Sequence, residues 1–151
     1  MNRDVVVIGI GNEFRRDDGV GLAVAEVVAK RGVPGVRVVT AVGEPIAILE
    51  AWSDARLAVV VDASTGEGCN PGQIRRWMPG DGTPPGVVSS HAIGLPQAYE
   101  LGEALGQIPH QLVVLCVDVA DTDYGIGLTP AVAAAVPATV EAVLAELSGP
   151  Q

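Results

Sequence analysis

Short β-branched runs alternate with segments of helical spacing along this chain, and that order admits few folds. Val5 to Ile10 is an apolar run ending in glycines, the pattern of a strand buried on both faces. Asp18 to Lys30 follows with Val20, Val24, Val27 and Val28 at helical spacing, and Gly32 and Pro34 act as stop signals. Val36 to Thr40 predicts a second strand, Pro45 to Trp52 a second helix with Pro45 in its first turn, and Leu57 to Val61 a third strand. Gln73 to Met78 predicts an edge strand, and the Pro/Gly-rich stretch 79–85 a loop. Ala92 to Leu105 predicts a helix, Leu112 to Val117 a fifth strand, and Pro130 to Leu147 a closing helix that Pro137 should kink or break. With no internal repeat and no long linker, a single domain over residues 1–151 is expected. Parallel strands need crossover helices, so the expected class is α/β. The expected architecture is a three-layer sandwich with about five strands, twisted and mostly parallel, and helices on both faces. Gln73–Met78 is the expected antiparallel member.

Composition narrows the core and the partners. The chain is 48% hydrophobic but only 3% aromatic, so Val, Leu, Ile and Ala must fill the interior. Nine basic against 18 acidic residues give a net charge of −9, which repels phosphate backbones and argues against nucleic acid. Cys69 and Cys116 match no metal or redox spacing and read as idle or buried thiols. The opening Met-Asn-Arg-Asp does not read as a signal peptide, and no apolar run reaches the roughly 18–20 residues of a bilayer span. A cytoplasmic protein without a membrane partner is the expectation.

In open parallel sheets ligands gather at the carboxyl ends of the strands. The loops after Ile10, Thr40, Val61 and Val117 therefore matter most. The first contains Gly9 and Gly11, but Phe14 stands where a dinucleotide fingerprint wants its third glycine, and Asp17 and Asp18 would meet the pyrophosphate. Asp17 fits a helix N-cap, and Asp18 alone could complement the helix dipole. Asp62 follows the third strand at the same edge as Asp18. His91, after Ser89 and Ser90, opens a helix. A serine hydrolase built from Ser90, His91 and Asp62 is disfavoured, since Gly-x-Ser-x-Gly is absent and adjacent residues do not face each other as nucleophile and base. Two carboxylates and an imidazole from three loops suit a borderline divalent metal such as nickel or zinc, which would also relieve the repulsion between the carboxylates. Asp118, the Asp121/Asp123 pair, Glu44, His110, Arg15 and Arg16 rank below these three. Solvated surface or capping accounts for most of them, with substrate docking second for the Asp121 loop and contact with acidic groups of a partner second for the arginines.

Taken together, Gly9-Ile10-Gly11-Asn12, Asp17-Asp18-Gly19-Val20-Gly21, Val61-Asp62-Ala63 and Ser89-Ser90-His91-Ala92 resemble the hydrogenase maturation endopeptidases. The likeness continues through Leu95 to Pro109 and through Asp118 to the Gly125-Ile126-Gly127-Leu128-Thr129-Pro130 segment, in order, and so spans essentially the whole chain. It implies a protease that removes a short C-terminal extension from the large-subunit precursor of a nickel–iron hydrogenase after nickel insertion. It implies that Asp18, Asp62 and His91 are the catalytic, metal-contacting residues; many relatives carry Glu at the position of Asp18. There is no His-Glu-x-x-His and no cysteine in a reactive motif. The nickel is thus expected in the substrate, sensed in trans rather than held as a resident cofactor. It would serve as a licence for cleavage, as a Lewis acid on the scissile carbonyl, or as both. A non-enzymatic nickel-binding or metallochaperone module is the alternative, and a nucleotide-binding domain a weaker third reading.

Overall fold

All six residues of the first strand, β1 (Val5–Ile10), are buried, as a β-branched run flanked by strands on both sides should be. The computed structural model describes residues 4–42, 44–65, 68–82 and 94–148. Among these, β1 leads through a 3-10 turn (Arg16–Gly19) into α1 (Val20–Arg31), followed by β2 (Val36–Ala41) and α2 (Pro45–Trp52). Then come β3 (Leu57–Ser64), β4 (Ile74–Trp77), α3 (Gly94–Leu105), β5 (Gln111–Asp118) and α4 (Pro130–Ser148). The five strands form one sheet in the order β2-β1-β3-β5-β4, parallel except for β4, which pairs antiparallel with β5. This is the expected architecture, with the expected strand reversed.

Strand periodicity divides the core into two layers. Val5, Val7, Val59, Val61, Val113 and Leu115 face α1 and α4, which pack on each other. Val6, Ile8, Val60, Val114 and Cys116 face α2 and α3, where Trp52 and Trp77 supply the large side chains. Each indole nitrogen donates to a backbone carbonyl, Trp52 to Gln107 at 3.1 Å and Trp77 to Gly82 at 3.1 Å. The β4 edge carries Arg75 and Arg76; Arg76 pairs with Glu146 of α4 at 2.6 Å. A charged edge of this kind resists further strand pairing.

Three expectations shift. α1 begins at Val20 rather than Asp18, because the acid pair belongs to the preceding 3-10 turn. β3 extends three residues past Val61, so Asp62 sits in the ladder opposite Cys116. Pro137 does not break α4. It lies on the exposed face, where water can satisfy the carbonyl one turn earlier that loses its donor. By length and composition α4 is apolar enough to cross a membrane. Here it buries Val132, Ala135, Thr139, Val140 and Val143.

Candidate functional site

The loop after β1 doubles back on itself. Gly11 N–H donates to Ala41 O at 2.9 Å, and Gly11 holds a φ of 156°; a Cβ there would collide with the carbonyl oxygen of Asp18. The turn therefore packs beneath the strand end. Asn12 N–H donates to Asp18 Oδ2 at 2.9 Å, and Asn12 Oδ1 accepts from Phe14 N–H at 2.9 Å. These contacts hold Asp18 at the sheet's carboxyl edge.

Asp62 meets it there. Both acids line a pocket of about 310 Å³ together with Asn12, Arg15, Val42 and Tyr124. Asp62 Oδ1 accepts from its neighbour Ala63 N–H at 2.8 Å. Its carboxyl is pushed up to about 7: lost solvation is the main cause, the Ala63 N–H opposes it, and the charge of Asp18 adds to the rise. Two of the three expected site residues thus share one pocket and interact electrostatically. The pair fits a cation, since a divalent ion would remove both the repulsion and the penalty of holding Asp62 charged.

The raised Asp62 carboxyl has a consequence for stability. An aspartate in the unfolded chain titrates near 3.9, so the folded state holds this proton more tightly. The stabilisation from that difference is fully present below about pH 4 and is lost as pH rises through about 7. With chelator present, Asp62→Asn is expected to exceed wild type in stability by roughly 2–4 kcal/mol at about pH 8, and to match it near pH 4. Urea unfolding at both pH values checks this; coincident curves at the higher pH would contradict it.

Asp17 is not the helix cap expected for it. The residue before α1 is Gly19, with no side-chain cap, and Asp17 is fully buried. Its carboxylate accepts from Ala120 N–H, Asp121 N–H, Thr129 N–H and Thr129 Oγ1–H at 2.7–3.0 Å. Burial alone would raise its pKa, but these donors outweigh burial and hold it below the ordinary aspartate value. Asp17 therefore pins the loop between β5 and α4 against the turn that carries Asp18. Asp17→Ala leaves four donors without an acceptor and is expected to cost roughly 2–4 kcal/mol. A melting temperature within a degree or two of wild type would show the lock to be unimportant.

The lower-ranked candidates separate cleanly. Asp118 is buried and forked by Arg75, Nε at 3.0 Å from Oδ1 and Nη2 at 3.0 Å from Oδ2, with Asn70 N–H at 2.9 Å. Burial pushes its pKa up, but the guanidinium and the amide pull it below the usual range, so it is a structural anion. Asp121 accepts from Asp123 N–H at 2.9 Å and lies 3.7 Å from Arg16 Nε in a partly exposed loop. Glu44 is the exposed residue before α2, and His110 is exposed at the start of β5, the opposite end of the sheet. Cys116 is buried and its thiol pushed up by burial; Cys69 is shifted the same way.

His91, with Ser89 and Ser90, lies outside the described residues. Among the described residues no three metal-ligating side chains cluster. Sequence reasoning gave no role to Asn12, Val42 or Tyr124; each follows a strand at the carboxyl edge, and Asn12 also ends the Gly9-Ile10-Gly11-Asn12 motif.

The hydrogenase maturation protease family matches residues 22–146. Several solved structures share the fold. The hydrogenase maturating endopeptidase HybD from Escherichia coli is 23% identical with a TM-score of 0.82, covering 95% of this chain and 91% of that one. The solution structure of an endopeptidase from Escherichia coli is 23% identical with a TM-score of 0.85, over the same shares. The [NiFe] hydrogenase maturation protease HybD from Thermococcus kodakarensis is 20% identical with a TM-score of 0.75, covering 97% of this chain and 99% of that one. No curated protein matches the chain significantly by sequence.

Proposed function

Because the chain belongs to the hydrogenase maturation protease family, we propose that it removes the C-terminal extension of a nickel–iron hydrogenase large-subunit precursor once that precursor holds nickel. The observation that carries this reading is the acid pair: Asp18 and Asp62 share one open pocket, and one of them charges only near neutrality. Such a pair wants a divalent cation, and among the described residues the rest of the lining offers no further carboxylate, imidazole or thiol.

The protein's own part is to receive a metal carried in by the precursor. Asp18 and Asp62 would supply hard oxygen donors, and His91 is proposed as the nitrogen donor that completes the set. The precursor's nickel would provide Lewis-acid chemistry at the adjoining carbonyl. Three protein ligands leave coordination positions open for groups of the precursor itself. Asn12 and the Asp17 lock keep Asp18 in place, so the pocket is formed before the precursor arrives. We place the reaction in the cytoplasm.

The test is direct. Purified protein is incubated with nickel-loaded precursor, and the large subunit and any released fragment are weighed by mass spectrometry. A single cut near the C-terminus is expected. Metal transfer with no change in mass would favour a metallochaperone instead.

A further inference from the structure

Among the described residues, one basic side chain lines the acid pocket. Arg15 lines it together with Asp18 and Asp62, and its guanidinium carbon lies 4.7 Å from the centroid of the Tyr124 ring. This stacking is built rather than incidental. Arg15 and Gly125 form a parallel bridge, Gly125 N–H donates to Phe14 O at 2.9 Å, and Arg16 N–H donates to Gly125 O at 3.1 Å. The Asp17 carboxylate fastens the same loop four residues upstream of Tyr124, at Ala120, and again at Thr129. Tyr124 is 79% exposed, so a large aromatic ring is held in solvent with Arg15 against it.

The Nε of Arg15 is buried and, among the described residues, has no hydrogen-bond partner. Buried in this way, Nε is closed to an incoming ligand, and the two Nη groups are left to make the contact. A guanidinium beside a cation site would repel the metal, so its role lies with the ligand that accompanies the metal. The outer edge of a guanidinium, its two Nη groups, matches a carboxylate by two parallel hydrogen bonds. Stacking on Tyr124 fixes the plane of the fork without using those donors.

We infer that Arg15, held on the Tyr124 ring, is the subsite that receives a carboxylate of the incoming precursor chain and positions that chain over Asp18 and Asp62. The inference rests on the protease reading for the identity of the precursor, but it concerns affinity and is measured separately from cleavage.

The experiment measures precursor binding and, in parallel, KM and kcat for wild type, Arg15→Ala, Arg15→Lys and Tyr124→Ala. Arg15→Ala is expected to weaken binding and raise KM about 10-fold or more, with kcat changed far less and the melting temperature unchanged. Arg15→Lys should recover part of the loss, because it restores the charge without the fork. Added methylguanidinium should rescue Arg15→Ala but not wild type. Tyr124→Ala should show a smaller KM effect of the same kind. A precursor with an amidated C-terminus separates the two sources of the carboxylate: binding as weak as that of Arg15→Ala assigns the chain terminus, and unchanged binding an acidic side chain. Affinity and KM of Arg15→Ala within about twofold of wild type would overturn the inference, as would a lowered melting temperature with no rescue by methylguanidinium. Wild-type protein that binds precursor without shortening it would sink the protease reading while leaving the Arg15 affinity readout in force. Wild-type protein that does not bind precursor would sink both.

Discussion

Asp62→Ala is expected to lower kcat/KM for precursor cleavage by roughly 1000-fold or more, with the fold intact. The substitution removes one of the two carboxylates that line the pocket among the described residues, and with it half of their negative charge available to balance a divalent ion. Little structure depends on that carboxylate. It accepts a hydrogen bond from its immediate neighbour Ala63, and its charge is disfavoured in the folded state. β3 is meanwhile anchored by Leu57 to Val61, all buried between β1 and β5. Circular dichroism should therefore match wild type, and the melting temperature should be no lower than that of wild type, while uncut precursor accumulates. Cleavage within about tenfold of wild type would remove Asp62 from the site.

Gly21→Val is expected to leave little folded protein. A Cβ at Gly21 would collide with Ile10 O and lie 2.5 Å from Val61 O, and a Cβ at Gly9 would collide with Gly21 O and lie 2.7 Å from Ala25 Cβ. The obstacles at Gly21 are backbone atoms of β1 and β3, so no rotamer change relieves them. α1 would have to lift from the sheet, uncovering Val20, Val24 and Val28, each fully buried. Overpacking of this kind costs on the order of 4 kcal/mol or more, a large share of the 5–15 kcal/mol that holds a typical domain together. Soluble yield and melting temperature test it; a variant that melts within a few degrees of wild type would mean α1 can shift freely. The spacing of these glycines thus serves helix-on-strand contact, which explains why it is only an incomplete match to a phosphate-binding fingerprint.

The strands were legible because burial on both faces leaves a sequence mark: Val5 to Ile10 and Leu57 to Val61 are unbroken apolar runs. That Asp18 and Asp62 share an edge was legible because Asp18 follows β1, Asp62 lies near the carboxyl end of β3, and parallel strands put those ends on one edge. The role of Asp17 was hidden. An acid just before a helix looks like a cap in sequence, whereas its donors at Ala120 and Thr129 lie more than a hundred residues away. The same distance hides the Arg15–Tyr124 pair, and the Arg75 fork that makes Asp118 structural spans 43 residues. Pro137 signalled a break because propensity carries no information about exposure. Its place on the outer face of α4 is set by packing against α1. What the pattern could not carry was tertiary pairing of polar groups, and that is where the site's support lies.

The most direct measurement compares nickel-loaded and nickel-free precursor in parallel, each incubated with wild type, Asp62→Ala and His91→Ala, and follows the size of the large subunit. Wild type should shorten the nickel-loaded precursor alone, and neither variant should shorten either form. Equal cleavage of both precursors, or cleavage that persists in both variants, would contradict a site in which Asp18, Asp62 and His91 read the metal.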